Sequence, residues 1–364
     1  MEVVIIGAGV FGASLAWRIS RSGENVTLVD QFEPGDRRAS SGGKTRLLRC
    51  SHGPEDDYTA MAWRARTLWR ELEEESGEDL LLECGVAWFA HSEHGWEAES
   101  ERTLGAQGIP TERVDGGALY PSFGHADLAF VLLEPEGGVL RARRAVRALC
   151  DRAAVNGARI LRGRARPDGS TVVLDDAVRL QGDAVVWACG PWLKDLFRGV
   201  VPLTVTVQEQ LFFEAGRGWE ETPGWVDYDH AMYGSGDVDG LGLKAALDVE
   251  GPPLMPDAEL PDSAATEAAV RAYLDDRFPA LADAPLRAAR SCRYELTADT
   301  NFLAAEHPEH PGVWLVGGGS GHGFKHGPAM AERLVAALGG ERLPRPFGLG
   351  ERVLSRSLRT AGSY

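Results

Sequence analysis

The sequence lacks the features of several common classes of protein. Its 54 Asp and Glu residues outnumber its 38 Lys and Arg residues, and the net charge of −16 argues against a nucleic acid or an anionic membrane as partner. Its five cysteines form no C-x-x-C pair and are odd in number, which is not typical of a disulfide framework. No apolar run approaches the length of a membrane span, and no signal peptide is visible. We therefore expect a cytoplasmic protein without a nucleic-acid or membrane partner.

The histidines lack the spacing of a metal centre. Closely spaced pairs occur at His91/His94, His307/His310 and His322/His326. The first pair lies in a polar loop and the second lies beside a proline turn, and neither has the third ligand nearby that a zinc site requires. The third pair belongs to a glycine-rich loop, which we expect it to shape. The sequence therefore predicts no metal site.

The chain opens with the pattern of a nucleotide-binding βαβ unit. The predicted elements are a strand over residues 3–6, a helix that ends near Gly23 and a strand over residues 25–30. Gly7, Gly9 and Gly12 form G-x-G-x-x-G between the first strand and the helix. These glycines allow a tight turn, approach of the backbone to a pyrophosphate, and close packing of helix on strand. Asp30 ends the second strand, where a carboxylate accepts hydrogen bonds from ribose hydroxyls. The full pattern predicts a dinucleotide site.

Two further features narrow the choice of dinucleotide. The carboxylate of Asp30 disfavours the 2′-phosphate of NADP, which leaves FAD and NAD. The apolar run that ends in "WACGPW", with Gly190 and Trp192, resembles the second dinucleotide-contacting strand of flavoproteins. A glycine-rich strand end also lies far along the chain, at residues 317–323. These features favour FAD.

The rest of the pattern predicts two domains of different architecture. Helices are predicted over residues 58–75, 141–157 and 328–340, and strands over residues 171–176, 177–182, 183–190, 204–214 and 312–319. We predict an α/β protein (α+β overall) with a Rossmann-type FAD-binding domain and a second, largely antiparallel-sheet substrate domain. The predicted FAD-binding domain comprises residues 1–80, 140–204 and 290–364, and the substrate domain residues 81–139 and 205–289. The polar tail after Pro344 is expected to be poorly ordered.

Two other glycine-rich segments require an interpretation. "SSGGKTRLLR" (residues 40–49) contains "GGKT", but a phosphate-binding loop needs glycine where Arg38 stands. The phosphate-loop interpretation therefore fails. "GGGSGHGFKHG" (residues 317–327) places Lys325 at the end of a loose backbone. A phosphate cradle, a metal site and a substrate-anchoring loop are each compatible with that segment alone.

Several separate blocks resemble the glycine/D-amino-acid oxidase superfamily, on the branch of monomeric sarcosine oxidase and N-methyltryptophan oxidase. Besides the N-terminal fingerprint, the blocks are "TRLLR", "GLGLK", "SCRYELTADTNF" and "HPEHPGVWLVGGGSGHGFK", and their spacing agrees from end to end. The resemblance implies an FAD-dependent amine oxidase, and the family tendency implies a monomer.

The resemblance also implies roles for individual residues. Arg49 and Lys325 match residues that hold a substrate carboxylate. Lys244 matches the lysine that activates O2 on the opposite face of the flavin, and Tyr233 matches a tyrosine of the substrate pocket. Arg46 matches an arginine placed near the flavin, where a structural ion pair is almost as well supported as a direct role.

Cys292 matches a cysteine that the family joins through sulfur to the flavin. It lies 33 residues before Lys325 (325 − 292 = 33), which is the family interval. A buried cysteine without a flavin link is the alternative. The implied cofactor-binding positions are Gly7, Gly9, Val10, Phe11, Gly12, Asp30, Ser41, Thr45, Arg46, Gly190, Trp192, Cys292, Gly319, Gly321, His322, Gly323 and Lys325.

The sequence departs from the family pattern at two positions. Gly42 stands where the family carries a histidine near the flavin, and Asp248 stands where it carries a substrate-contacting histidine. Loss of two histidines is expected to open space and to add negative charge. We therefore expect an amine bulkier than sarcosine, with a second polar or cationic group, and count Asp248 among the catalytic-site residues.

The expected reaction is oxidation of the C–N bond of a secondary amino acid or N-substituted glycine that bears a carboxylate. O2 would be reduced to H2O2, and hydrolysis of the imine would release an amine and an oxo acid such as glyoxylate. Alternatives are a tailoring oxidase of a cyclic imino acid and a dehydrogenase of the same fold that uses an electron carrier. A nucleotide-binding regulatory subunit is disfavoured because it needs none of Cys292, Lys244 and Lys325.

Overall fold

The computed structural model describes residues 1–261 and 263–353. Its α-helices are α1 (Val10–Ser20), α2 (Asp56–Ser76), α3 (Trp96–Ala106), α4 (Ala142–Val155), α5 (Leu193–Leu196), α6 (Glu267–Arg277) and α7 (Gly327–Leu338). Short 3-10 turns lie at Gly116–Ala118, Gly190–Trp192, Val238–Gly240, Pro279–Leu281, Phe324–His326 and Arg345–Phe347.

The strands in the first half of the chain are β1 (Glu2–Ile6), β2 (Asn25–Asp30), β3 (Thr45–Leu48), β4 (Leu81–Leu82), β5 (Val86–Ala90), β6 (Glu112–Val114), β7 (Phe130–Glu134), β8 (Gly138–Arg141), β9 (Arg159–Arg162), β10 (Ala165–Asp168) and β11 (Thr171–Leu174). They are followed by β12 (Val178–Leu180), β13 (Ala184–Trp187), β14 (Thr204–Phe213), β15 (Gly224–Asp227), β16 (Met232–Ser235), β17 (Leu243–Leu247), β18 (Leu286–Leu296), β19 (Leu303–His307) and β20 (His310–Gly317).

The first sheet carries the predicted nucleotide-binding unit. Its strand order is β19-β20-β13-β1-β2-β9, in which only the edge pair β19/β20 is antiparallel. Helices α1, α4 and α7 cover one face, and their apolar side chains share a core with the sheet that includes Leu15, Leu149 and Leu334. The small sheet β10-β11-β12 and helix α5 share a second core with the same strands. Because both faces are covered, the central strands are continuously apolar, as the sequence predicted.

The second sheet has eight strands in the order β18-β14-β17-β16-β15-β5-β7-β6. Only the β5/β15 pair in it is parallel, so the prediction of a largely antiparallel second region is confirmed. Helix α6 buries Val270 and Leu274 against this sheet, in a core that includes Trp225. The Rossmann-type sheet and the antiparallel sheet together confirm the predicted fold class.

The long strand β18 connects the second sheet to the first. It pairs with β14 along its length, and its last residues line the cleft described below. The predicted domain boundary at residue 290 falls inside this strand. The division into domains stays a prediction.

The predicted helices and strands agree with the structure to within a few residues, but the tail differs. Arg345–Phe347 forms a 3-10 turn, and Phe347 is buried in the core of the first sheet. The expectation of a poorly ordered tail is therefore wrong for these residues, and residues 354–364 lie outside the described residues. Within the described ranges, no helix has both the length and the apolar character that a bilayer crossing demands.

Candidate active site

The turn after β1 opens into a deep cleft, which we call the dinucleotide cleft. Its lining residues are Gly7, Gly9, Val10, Phe11, Asp30, Ala39, Ser40, Ser41, Arg46, Ala188, Cys189, Gly190, Pro191, Trp192, Arg293, Tyr294, Glu295, Gly319, Gly321, Gly323 and Phe324. Gly7 has a φ of +106°, and a Cβ on it would lie 2.3 Å from the Ala188 carbonyl oxygen. A Cβ on Gly12 would lie 1.9 Å from the Gly7 carbonyl oxygen. Glycine is therefore required at both positions for the N-terminal end of α1 to face the cleft.

Two side chains fix this turn. Asp30 accepts the Ala8 N–H at 2.6 Å on Oδ2 and the Phe32 N–H at 2.7 Å on Oδ1. Ser41 Oγ accepts the Val10 N–H at 3.0 Å. Burial raises the pKa of Asp30. Each carboxylate oxygen has a further lone pair, so Asp30 remains able to accept a ribose hydroxyl.

A buried carboxyl group that the sequence analysis did not single out also lines this cleft. Glu295, near the end of β18, accepts a hydrogen bond from Ser40 Oγ at 2.6 Å. Burial raises the pKa of Glu295. The signal available in the sequence was a charged residue, Glu295, between Tyr294 and Leu296. The structure shows that this end of β18 is buried.

Some predicted cofactor-binding residues do not line the dinucleotide cleft. They are Gly12, Thr45, Cys292, His322 and Lys325. Gly12 lies behind the turn, where it lets the helix approach the strand. Thr45 is buried in β3, and its hydroxyl has no hydrogen-bond partner among the described residues. His322 and Lys325 instead line a second cleft.

This second cleft brings together every residue predicted to act on the substrate, and we call it the substrate cleft. Its lining residues are Arg46, Leu47, Arg49, Val226, Tyr233, Lys244, Asp248, Tyr294, Gly321, His322, Phe324 and Lys325. Arg46, Tyr294, Gly321 and Phe324 line both clefts, so the two clefts meet at these residues. One end of a dinucleotide and a small molecule could therefore touch at this junction.

Two basic side chains, the buried Lys325 and the half-buried Arg49, dominate the electrostatics of the substrate cleft. Burial and the neighbouring Arg49 guanidinium hold the pKa of Lys325 well below its usual value. Lys325 Nζ donates to the His322 carbonyl at 3.1 Å, and Arg49 Nη1 donates to the Ser51 carbonyl at 2.5 Å. An anionic ligand between the two cations would relieve their mutual repulsion. The arrangement suits a carboxylate, which an arginine can bind through two parallel hydrogen bonds.

Glu134 positions Arg49 without lining the cleft. This buried residue ends β7, and its Oε1 accepts hydrogen bonds from Ser51 N at 3.1 Å, Ser51 Oγ at 2.6 Å and Trp88 Nε1 at 2.7 Å. Its Oε2 accepts the Cys50 N–H at 2.5 Å. The Arg49 guanidinium lies 5.0 Å from the centre of the Trp88 ring, and it donates to Ser51. Glu134 thus fixes two groups that Arg49 contacts, and nothing in the sequence singled it out.

Lys325 is held through its backbone by α2. Trp69 Nε1 donates to the Lys325 carbonyl at 2.8 Å, and the Trp69 ring stacks on Phe324. Both tryptophan contacts fix the residues that close the glycine-rich loop. The loop therefore presents Lys325 from a rigid support.

Lys244 lies in the same cleft on β17. Burial, and secondly the charge of Arg46, lower the pKa of Lys244 from 10.5 to about 7. Its Nζ lies 5.0 Å from the centre of the Tyr233 ring, and the Tyr233 hydroxyl lies 3.5 Å from that of Tyr294. A lysine that titrates near neutral pH is typical of functional sites.

The structure separates the two positions that depart from the family pattern. Asp248 lines the substrate cleft, and its charge raises the pKa of Lys244 against the larger effect of burial. Gly42 lies outside that cleft, and a Cβ on it would lie 1.9 Å from the Asp36 carbonyl oxygen. The expectation that Gly42 opens space for substrate is therefore wrong, because this backbone has no room for any side chain. Only Asp248 changes the substrate cleft.

Cys292 lies beside Arg46 but lines neither the dinucleotide cleft nor the substrate cleft. Its Sγ is 3.4 Å from Arg46 Nη2 and 3.6 Å from the Ser40 carbonyl oxygen. It lines a third, basic cleft with Arg37, Lys44 and other residues. Arg46 also lines the dinucleotide cleft, so the Cys292 sulfur contacts a residue of that cleft without lining it.

The histidines cluster differently from the sequence prediction. His322 and His326 are joined by His52, whose Nε2 lies 3.2 Å from His326 Nε2. Burial, and secondly Lys325, hold the pKa of His52 and of His326 well below the usual value. His91 does not pair with His94. The partners of His91 are Asp227 and His230, which lie far along the chain and were not predicted from the sequence.

Comparison with known proteins identifies the family. Residues 2–338 match the family described as FAD dependent oxidoreductase (DAO). The chain therefore belongs to this family, and its cofactor is FAD.

Individual relatives define the branch. The chain is 27% identical over 361 residues to the monomeric sarcosine oxidase of Bacillus sp. (strain B-0618), covering 92% of this chain and 90% of the relative. It is 26% identical over 378 residues to the N-methyl-L-tryptophan oxidase of Yersinia pestis (strain Pestoides F), covering 98% and 99%. The protein is an FAD-dependent oxidoreductase of the type of the sarcosine and N-methyltryptophan oxidases, which confirms the resemblance found in the sequence.

Solved structures of low sequence identity share the fold. The L-proline dehydrogenase of P. horikoshii superimposes with a TM-score of 0.82 at 18% identity, over 95% of this chain and 96% of that chain. At this identity the likeness establishes the architecture alone.

The residues of the dinucleotide cleft fit FAD. Gly7 and Gly12 shape the G-x-G-x-x-G turn, and Gly9 lines the cleft without a side chain where a pyrophosphate would approach the backbone. Asp30 stands at the end of β2 for a ribose, and the glycines of the 319–323 loop leave the cleft open towards the substrate cleft. These residues would hold the adenosine, the pyrophosphate and the flavin ring in that order.

Proposed function

We propose that the protein oxidises the C–N bond of a secondary α-amino acid or an N-substituted glycine to an imine, with O2 as electron acceptor. The observation that carries this proposal is the pair of basic side chains, the half-buried Arg49 and the buried Lys325, beside the junction of the two clefts. A carboxylate between them would place the adjacent C–N bond at the junction. The names of the sarcosine and N-methyltryptophan oxidases, which act on N-methyl amino acids, support the same substrate class.

The side chains bind and orient the substrate. Arg49 holds the carboxylate through its planar guanidinium, and Lys325 adds a compact charge. Tyr233 and Val226 form a wall of the cleft. Bound FAD supplies the two-electron acceptor for the C–N bond and the path by which the electrons reach O2. Lys244 places a positive charge near that path, where it stabilises negative charge that develops on O2.

The overall reaction consumes water as well as O2. Hydrolysis of the imine from an N-substituted glycine releases a primary amine and glyoxylate, and the electrons appear as H2O2. No side-chain base is needed if the amine binds unprotonated. Lys244 in the substrate cleft favours O2 over an electron-carrier protein as the acceptor.

Cys292 is proposed to hold FAD covalently through its sulfur. The support is the resemblance of its sequence block and the position of Sγ, which contacts Arg46 at 3.4 Å. Arg46 in turn lines both clefts. The residues that line the dinucleotide cleft bind the cofactor without covalent bonds.

Asp248 is proposed to select a substrate with a second, cationic group. Its carboxylate lies in the same cleft as Tyr233 and Lys244. A substrate ammonium beside Asp248 would add a charge-assisted interaction that sarcosine cannot make. Loss of such an interaction costs about 10- to 100-fold in kcat/KM.

A panel of amines tests the reaction and the specificity together. The panel contains sarcosine, N-methyl-L-tryptophan, L-proline and N-(2-aminoethyl)glycine, with peroxide and dye reduction measured in parallel. We expect peroxide release, with the cationic glycine derivative the best substrate. The preference is expected to disappear in Asp248→Asn and to persist in the exposed control Glu250→Gln.

The outcomes separate the alternatives. If sarcosine matches every larger amine, the proposed specificity is wrong. If a dye is reduced but no peroxide forms, the protein is a carrier-linked dehydrogenase. If L-proline is oxidised best, the cyclic imino acid alternative is correct.

A further inference from the structure

Two histidines and an aspartate meet at one end of the antiparallel sheet. His91 directly follows β5, and Asp227 ends β15, which lies next to β5 and runs parallel to it. His230 lies in the turn between β15 and β16. Adjacent parallel strands end at the same edge, so His91 and Asp227 meet although they lie far apart in sequence.

The three donor atoms form a nearly equilateral triangle. His91 Nε2 lies 3.1 Å from Asp227 Oδ1, His230 Nδ1 lies 3.0 Å from the same oxygen, and the two nitrogens are 3.2 Å apart. In a tetrahedral zinc site with metal–ligand bonds of 2.0–2.1 Å, the ligand atoms lie about 3.3 Å apart. A zinc ion about 1 Å above the triangle would therefore reach all three atoms at ordinary bond lengths.

The outer contacts hold these donors in place. Asp227 is fully buried, and its other oxygen accepts hydrogen bonds from Tyr273 at 2.9 Å and Arg277 at 3.4 Å. Oδ1 is thus directed to the two histidines. His91 Nδ1 lies 3.4 Å from Asp127 Oδ2. A histidine that binds metal through one nitrogen commonly donates its other N–H to a carboxylate, and Asp127 is the carboxylate next to His91 Nδ1.

Charge and access also suit a cation. The Glu97 carboxyl interacts electrostatically with His91 and Asp227, and its Oε1 is buried without a hydrogen-bond partner among the described residues. The His230 side chain is 51% exposed, so water can reach a fourth coordination position. Asp127 and Asp227 offset the charge of the nearby Arg277. In contrast, the cluster of His52, His322 and His326 contains no carboxylate to offset the charges of Lys325 and Arg49, which disfavour a metal ion there.

We propose that His91, Asp227 and His230 bind one divalent transition-metal ion, with water as the fourth ligand. Two imidazoles and one carboxylate select zinc and its neighbours over Ca²⁺ or Mg²⁺. The ion cross-links β5 to the β15–β16 hairpin. Val226 and Tyr233 pair across that hairpin and line the substrate cleft, so the metal braces one wall of the cleft. The sequence predicted no metal site because these ligands are scattered along the chain.

The test uses tag-free holoprotein, freed of metal with a chelator and titrated with Zn²⁺ against a chromophoric competitor. We expect one Zn²⁺ per chain in the wild type and in the control His94→Ala, which changes a histidine three residues from His91. The affinity should fall at least about 100-fold in His91→Ala and in His230→Ala. It should fall about 10- to 100-fold in Asp127→Asn, which keeps all three ligands but removes the outer carboxylate and its ion pair with Arg277.

Two further readouts make the result independent of enzyme activity. Co²⁺ should give ligand-field absorption at wavelengths beyond the flavin bands, and Zn²⁺ should raise the Tm of the wild type but not of His230→Ala. Absence of saturable Zn²⁺ binding in the wild type would overturn the proposal. Equal affinity in the wild type, His91→Ala and His230→Ala would also overturn it, because the ion would then be bound elsewhere, for instance by cysteines.

Discussion

Glu134→Gln tests whether a residue outside the substrate cleft controls its carboxylate anchor. The wild-type carboxylate accepts three hydrogen bonds on Oε1 and one on Oε2, all from groups of Ser51, Trp88 and Cys50. Glutamine has one acceptor oxygen and one donor group. If the glutamine oxygen takes the place of Oε1, the three hydrogen bonds to that atom persist but their acceptor is no longer charged. The glutamine NH₂ group then takes the place of Oε2 and faces the N–H of Cys50, so that two donors meet.

The magnitude follows from these contacts. Three bonds that lose a charged acceptor are each weakened by about 1 kcal/mol, and a buried N–H left without a partner costs about 1–3 kcal/mol. Removal of a buried charge offsets part of this loss. We expect the free energy of unfolding to fall by about 2–4 kcal/mol. Because Ser51 and Trp88 both contact Arg49, we also expect kcat/KM for a carboxylate substrate to fall about tenfold, mainly through KM.

Denaturant unfolding and steady-state kinetics measure the two effects. The matched control is Glu136→Gln, two residues away, because the Glu136 side chain is 38% exposed and pairs with Arg66 at the surface. Its stability should stay within about 0.5 kcal/mol of the wild type. A Glu134→Gln protein as stable as the control would refute the hydrogen-bond argument. Lower stability with unchanged KM would show that Glu134 supports the fold but does not position Arg49.

Three other predictions concern the cofactor and O2. Cys292→Ala should release all flavin into the supernatant on acid precipitation, whereas the wild type should keep its yellow colour in the pellet. Lys244→Met should slow reoxidation by O2 at neutral pH. In the wild type this rate should fall as pH rises through about 7, because the ammonium form of Lys244 is then lost. Gly12→Ala should abolish FAD binding or folding, because its Cβ would lie 1.9 Å from the Gly7 carbonyl oxygen.

Each of these changes has a control on the same chain. Cys84→Ala removes a half-buried cysteine and should leave the flavin in the pellet. Lys194→Met should leave the reoxidation rate unchanged. Gly105→Ala, in α3, adds a Cβ with no atom within 4 Å and should not affect FAD content. Flavin in the wild-type supernatant contradicts the covalent link, and a pH-independent reoxidation rate contradicts the role of Lys244.

Local patterns made the nucleotide-binding half predictable. Gly7, Gly9 and Gly12 act within one strand, turn and helix, so their spacing alone specifies the conformation that they require. The apolar runs of β1 and β13 likewise reflect strands covered on both faces. The cation pair was predictable only by resemblance, because Arg49 and Lys325 lie at opposite ends of the chain and meet through tertiary packing.

The sequence by itself determined the dinucleotide turn, the order of helices and strands, and the chemical types of the side chains in the substrate cleft. Only the tertiary structure decided that Gly42 lies outside that cleft, that Glu134 supports Arg49, and that His91 meets His230. The physical reason is the range of the interactions. Backbone turns and amphipathic periods depend on neighbouring residues, whereas a buried carboxylate or a set of ligands depends on which strand ends the sheet brings together.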